Sequence, residues 1–124
     1  MKLLLLENDY SIFKFDPDFS HYEKILSDEF FSITKTKDEL SIAALENSFS
    51  DFLSKEDGWK IIKIDEELDF SLTGILSKIS AVLAGEDIGI FVLSTYNTDY
   101  IMIKKENVNK AVNILINNGY LLNR

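Results

Sequence analysis

The sequence contains no cysteine, which excludes disulfides, thiolate zinc sites, iron–sulfur clusters and a cysteine nucleophile together. It has one histidine, His21, in a polar stretch. No second histidine completes a metal site and no serine stands placed to be activated by it, so His21 reads as a surface residue. The one arginine, Arg124, occupies the last position, where chains fray. Without an arginine clamp or a glycine-rich phosphate loop, phosphoryl and acyl-phosphate chemistry is disfavoured. Long apolar runs are missing too. Leu3–Leu6 is stopped by Glu7, Asn8 and Asp9, which is too short for a signal peptide, and nothing approaches the roughly 20 apolar residues that cross a bilayer. The expectation is a soluble, cytoplasmic chain with no membrane partner and no catalytic residue, metal or cofactor.

What is present is enough for a core. The 124 residues are 46% hydrophobic and 27% charged, the balance of a globular chain. The formal net charge is −8, and it is uneven. Residues 1–57 hold 6 basic and 13 acidic residues, against 7 and 8 in residues 58–124. This sign repels phosphate backbones and disfavours a nucleic-acid partner.

The second half carries the clearer pattern. Trp59–Ile64 reads as a strand, and Leu68–Ser71 leads into a helix. Within it Ile75, Leu76, Ile79, Val82 and Leu83 form one stripe at helical period, with Ser71 or Thr73 as cap and Gly85 as stop. The nearly unbroken apolar run Ile88–Leu93 has the look of a central strand buried on both faces. Tyr96–Asp99 is a turn and Tyr100–Ile103 a strand. Asn107 caps a second helix with Val108, Ala111, Val112 and Leu115 on one face, Gly119 ends it, and Tyr120–Leu122 is a last strand. This order, β-α-β-β-α-β, is the ferredoxin-like arrangement of an α+β fold.

The first half repeats the order more weakly. Leu3–Leu6 and Tyr10–Phe15 read as one long strand or two paired ones. His21–Leu26 and Asn47–Ser54 read as short helices, and Phe30–Thr34 and Leu40–Ala44 as a hairpin through Lys35–Glu39. Asp57-Gly58 marks a turn. The expected organisation is therefore a weaker, related half over residues 1–57 packed against the ferredoxin-like unit over 58–124.

Two segments stand out for binding. Asp69–Ile75 joins a strand to a helix start, either as simple capping or as an anion site where free N–H groups and the helix dipole favour negative charge and Gly74 permits close approach. Ser94–Tyr100 gathers hydroxyls, an amide and a carboxylate, either as a polar hairpin tip or as a grip on a small polar ligand. In a βαββαβ sheet we expect this turn at the end away from the start of the first helix. The carboxylates Asp65, Glu66, Glu67 and Asp69 read as a solvated loop.

Over Leu68–Ile75, Ile88–Ile103 and Ala111–Gly119 the sequence resembles the ACT domain family, in the branch related to the cytosolic arginine sensor and to the regulatory part of aspartate kinases. The string Ser94-Thr95-Tyr96-Asn97-Thr98-Asp99-Tyr100 carries most of the likeness, with Asp38–Ile42 the most family-like piece of the first half. The resemblance implies a regulatory module whose amino-acid ligand bridges two ACT units, in a homodimer. It implies that Thr73, Gly74 and Ile75 offer main-chain groups to the ligand, and that Ser94, Thr95, Thr98 and Asp99 lie near its polar end. Ser41 and Ile42 would contribute from a facing half. No kinase or dehydrogenase segment accompanies these residues. A ligand-free dimerisation module is the rival reading. An enzyme on this scaffold lacks its equipment, and an RNA-binding sheet has the wrong charge.

Overall fold

The computed structural model describes residues 1–67 and 73–124. The lead into the first helix, Leu68–Ser71, and with it the expected Ser71 cap, lies outside the described residues. The strands are β1 (Lys2–Leu5), β2 (Tyr10–Phe15), β3 (Ser32–Lys35), β4 (Leu40–Leu45), β5 (Ser54–Ile64), β6 (Phe91–Ser94), β7 (Asp99–Lys104) and β8 (Leu121–Asn123). The helices are α1 (Ile75–Ala84) and α2 (Val108–Asn117). Two compact units result: Met1–Glu7 with Trp59–Arg124, and Asn8–Gly58.

The first unit has the strand–helix–strand–strand–helix–strand order expected of it, with one addition. β1 does not remain with the first half. It pairs antiparallel with β5, Leu3 opposite Ile64, and parallel with β8, Leu3 opposite Leu122. The strand order within this unit is β6-β7-β5-β1-β8. Leu3, Ile62, Ile64, Ile101 and Ile103 meet a helical layer of Ile79, Leu83, Val108, Ala111, Val112 and Leu115 in one buried cluster. The helical stripes read from the sequence are the ones that pack here, because residues three and four apart share a face.

Two local expectations fail in this unit. The Ile88–Leu93 run is not a central strand. β6 pairs only with β7 among the described residues, and Phe91, Val92 and Leu93 are half-buried. Its neighbour β7 is flanked on both sides, by β6 and β5, and its Ile101, Met102 and Ile103 are all fully buried. A continuous apolar run marks hydrophobic content but not position in a sheet. Gly85 does stop α1, its amide on the Ala81 carbonyl at 3.0 Å, although in a right-handed conformation; the left-handed residue is Asp87 at φ 58°. Ile88 N–H closes the turn on the Leu83 carbonyl at 3.1 Å. At α2 the Asn107 side chain makes no capping bond, and a 3-10 turn over Lys105–Asn107 leads in instead. Gly119, at φ 91°, does end α2, with Tyr120 N–H on the Leu115 carbonyl at 3.2 Å.

In the second unit β4 lies between β2 and β3, antiparallel to both. The β3–β4 hairpin turns where expected, with Thr36 Oγ1 accepting from the amides of Asp38 and Glu39 at 3.1 and 3.2 Å. Neither expected helix forms here. His21–Leu26 makes one 3-10 turn, Glu23–Ile25. Asn47–Ser54 has no helix, and β5 begins at its last residue. Its serines, asparagine and aspartate favour turn hydrogen bonds over a short helix, and Ser48 N–H bonds the Leu45 carbonyl at 3.0 Å. The core is aromatic: Phe13, Phe15 and Phe49 with Ile25, Leu40, Ile42 and Ala44. The expected turn at Asp57-Gly58 is also absent, since both residues lie inside β5. Gly58 adopts φ 80° there, a bulge conformation open to glycine, and its amide donates to Glu46 Oε1 at 2.9 Å.

Tyr10 gives this unit a pH signature. It is 3% exposed and meets Phe30 edge-on at 5.7 Å. Burial raises the pKa of its phenol; the hydrogen bond with Asn8 opposes this, and the charges of Glu29 and Asp28 add to the rise. Folding therefore favours the protonated form. An unfolded tyrosine ionises near pH 10, so this stabilisation is complete below that pH and is lost as pH climbs through the raised folded value. Urea unfolding between about pH 9 and 11 should show falling stability, and Tyr10→Phe should remove part of the fall. An unchanged slope in the variant would reject the assignment.

Candidate functional site

The register of β7 fixes which ends of the strands lie together. Tyr100 stands opposite Lys63, and Asp99 opposite Ser94. The end of β5, the end of β6 and the start of β7 thus share one end of the sheet. This corrects the expectation that the Ser94–Tyr100 turn lies away from the start of the first helix: it lies at the end where the chain leaves β5 toward α1. β5 and β6 both run antiparallel to β7 and hence parallel to each other. A strand–helix–strand crossover returns the chain to the starting edge, so parallel strands finish at the same end.

Ser94, Thr95, Thr98 and Asp99 are brought together in this turn, and they bond largely to one another. Thr95 N–H donates to the Thr98 carbonyl at 2.9 Å, and Thr95 Oγ1 accepts from Thr98 N–H at 3.3 Å. Ser94 Oγ donates to Asp99 Oδ1. Thr98, 5% exposed, donates its hydroxyl to the Ile64 carbonyl at 2.7 Å and so ties the turn to β5. These bonds build a rigid hairpin tip, from which Tyr96 projects with 79% exposure.

Beside the turn is an open cleft of about 230 Å³. Lys63, Asp65, Glu66 and Glu67 line one side, and Thr95, Asn97 and Tyr100 lie on the other. Lys63 Nζ stands 3.7 Å from Asp65 Oδ1 and 6.0 Å from the centre of the Tyr100 ring. Glu66 Oε2 accepts from the Lys2 amide at 2.7 Å. A cation and several carboxylates across one small polar cleft can meet both ends of a zwitterion. The sequence reading treated these carboxylates as a solvated loop and passed over Lys63. The pairing of Lys63 with Tyr100 was the available signal, and it follows once the strand directions are right. Among the described residues, no group of histidine, aspartate and glutamate is placed to hold a metal ion.

Gly74 occupies the N-cap position of α1 at φ 80°, with no side-chain cap hydrogen bond. Among the described residues, a Cβ there would meet nothing within 4 Å. Thr73 and Gly74 are exposed, while Ile75 packs against the core. The first helical N–H groups have no partner within the helix, as at any helix start. Ser41 and Ile42 lie on β4 in the other unit. Ile42 is fully buried in that unit's aromatic core and Ser41 is half-buried, each paired across both neighbouring strands.

Comparison with known proteins agrees with this architecture. The family model for the ACT domain matches residues 54–117, and a second model, for an N-terminal domain, matches residues 9–51. The crystal structure of protein Atu0741 from Agobacterium tumefaciens is 31% identical at a TM-score of 0.88, covering 98% of this chain and 90% of that one. The human protein CASTOR3P is 30% identical over 93 residues, 64% of this chain. The chain spans 57% of the length of that relative. The ligand-free regulatory subunit of aspartate kinase from Thermus thermophilus shares the fold at a TM-score of 0.63 and 10% identity, covering 93% of this chain and 95% of that one. ACT domains are regulatory modules, and none of these matches indicates a catalytic family. With that model spanning more than half of its residues, the chain belongs to the ACT domain family.

Proposed function

We propose that the chain is a non-catalytic cytoplasmic module in which an amino acid, bound at the open start of α1, bridges two ACT units and shifts the association of a homodimer. The observation that carries this reading is the left-handed Gly74 at the start of α1, with no side-chain cap and free space around its Cβ position among the described residues. A ligand carboxylate would take the place of the missing cap, through charge-assisted bonds to the first N–H groups and Thr73. Its ammonium would turn toward the polar end built by Ser94, Thr95, Thr98 and Asp99. If the second ACT unit belongs to another copy, binding and assembly are linked, and ligand must favour the assembled form by its differential affinity.

The test is titration calorimetry of the whole chain with each of the twenty amino acids at millimolar concentration, paired with light scattering. Heat for one or a few of them, together with a ligand-dependent mass, is expected. Gly74→Ala should weaken that binding, because its Cβ strains a left-handed backbone by about 1–2 kcal/mol and competes for the approach. Silence from all twenty removes the amino-acid reading. A dimeric mass without any heat would favour the second reading, a ligand-free association module. That reading has its own support in β6, an edge strand presenting Phe91, Val92 and Leu93 half-buried.

A further inference from the structure

We propose that a groove in the Asn8–Gly58 unit docks a basic segment of a partner protein, one that carries an apolar side chain next to its cation. The groove holds about 320 Å³ between the end of β2 and the Asp51–Leu53 segment. Its aromatic wall is half-buried Phe19, which stacks on the buried Phe15 with centroids 3.9 Å apart and planes 10° apart. Leu53 stands at its side, 59% exposed. Asp16, Asp18 and Asp51 line the same groove, all exposed. None of these three carboxylates has a hydrogen-bond or ion-pair partner among the described residues.

The combination selects the occupant. Three unpaired like charges around one small groove repel each other, and a cation entering it relieves all three. A guanidinium or ammonium also gains from the face of an aromatic ring, more so when carboxylates flank it. A small inorganic cation would leave Leu53 and the open side of Phe19 in water, whereas a peptide covers them. Charge complementarity holds over the whole unit, which carries 12 acidic residues against 5 lysines and so draws basic partners from a distance. A second copy brings the same excess of carboxylates, so it offers this groove no complementary charge. The groove lies within a different unit from Gly74 and the Ser94–Asp99 turn, so it stands apart from the amino-acid proposal.

The experiment titrates the isotopically labelled full chain with an N-acetylated, C-amidated Arg-Leu-Arg peptide and follows backbone amide shifts. The blocked ends keep this probe from imitating a free amino acid. Shifts confined to residues 15–21 and 51–53 are expected. Neutralising the rim with D16N/D18N/D51N should weaken the peptide about tenfold, and Leu53→Ser, at an exposed position, should weaken it severalfold. Either of two results overturns the proposal: shifts scattered over the acidic surface, or affinity that spermidine matches and the substitutions leave unchanged.

Discussion

Deleting Met1–Glu7 is expected to unfold the unit that contains both helices, although the whole of Asn8–Gly58 separates this segment from the rest of that unit in sequence. Among the described residues, β1 alone joins β5 to β8. It accepts Asp65 N–H at the Lys2 carbonyl, and Leu6 N–H reaches the Ile61 carbonyl, both at 2.9 Å. Without it β8 has no sheet partner among the described residues, and the lower side of the α2 core opens where fully buried Leu3 sat. A lost central strand costs more than the roughly 5–15 kcal/mol by which a domain is stable. Circular dichroism of the truncated chain should lose the signal of α1 and α2. The graded version, Leu3→Ala, should cost about 2–5 kcal/mol in denaturant unfolding. A truncated chain that keeps its helical signal would refute the placement of β1.

Phe13→Ala should be the most damaging single substitution in the other unit. Its ring is fully buried, 5.1 Å from Phe49, 5.8 Å from Phe52 and 6.2 Å from Phe15. Lys55 Nζ stands 5.7 Å from its centre. Truncation leaves a cavity that neighbouring rings fill only in part, and the expected cost is about 3–5 kcal/mol. Hydrogen exchange locates the effect: amides of Asn8–Gly58 should lose protection well before those of α1 and α2. A loss below about 1 kcal/mol would mean that Phe13 is not central to that core.

Both predictions depend on features that the sequence revealed unequally. The helical stripes were legible, because Ile79, Leu83, Val108, Ala111, Val112 and Leu115 repeat at a period that only a helix brings to one face. The β3–β4 hairpin was legible from its turn residues. The position of β1 was not: pairing with β5 and β8 joins residues far apart in sequence, and no local pattern encodes a partner. The same limit hid the edge position of β6. The missing helices of the first half show propensity giving way to an aromatic core that Phe49 enters from a turn. At the site, the residues of the Ser94–Asp99 turn were legible as a polar group. Their mutual hydrogen bonding, and the facing row of Lys63, Asp65, Glu66 and Glu67, emerged only from strand direction.

The insertion of β1 has a further consequence during synthesis. The whole of Asn8–Gly58 has been made before residue 59 is added, whereas β1 cannot find its parallel neighbour until Leu121–Asn123 emerges. At usual elongation rates that is a wait of roughly 3–13 s. Through it one edge of Leu3–Leu5 stays unpaired even when β5 already holds the other, and such unsatisfied strand edges invite aggregation. Slow, long-range closure of this kind makes the ribosome, and any chaperone that shields Leu3–Leu6, part of how this protein reaches its native state.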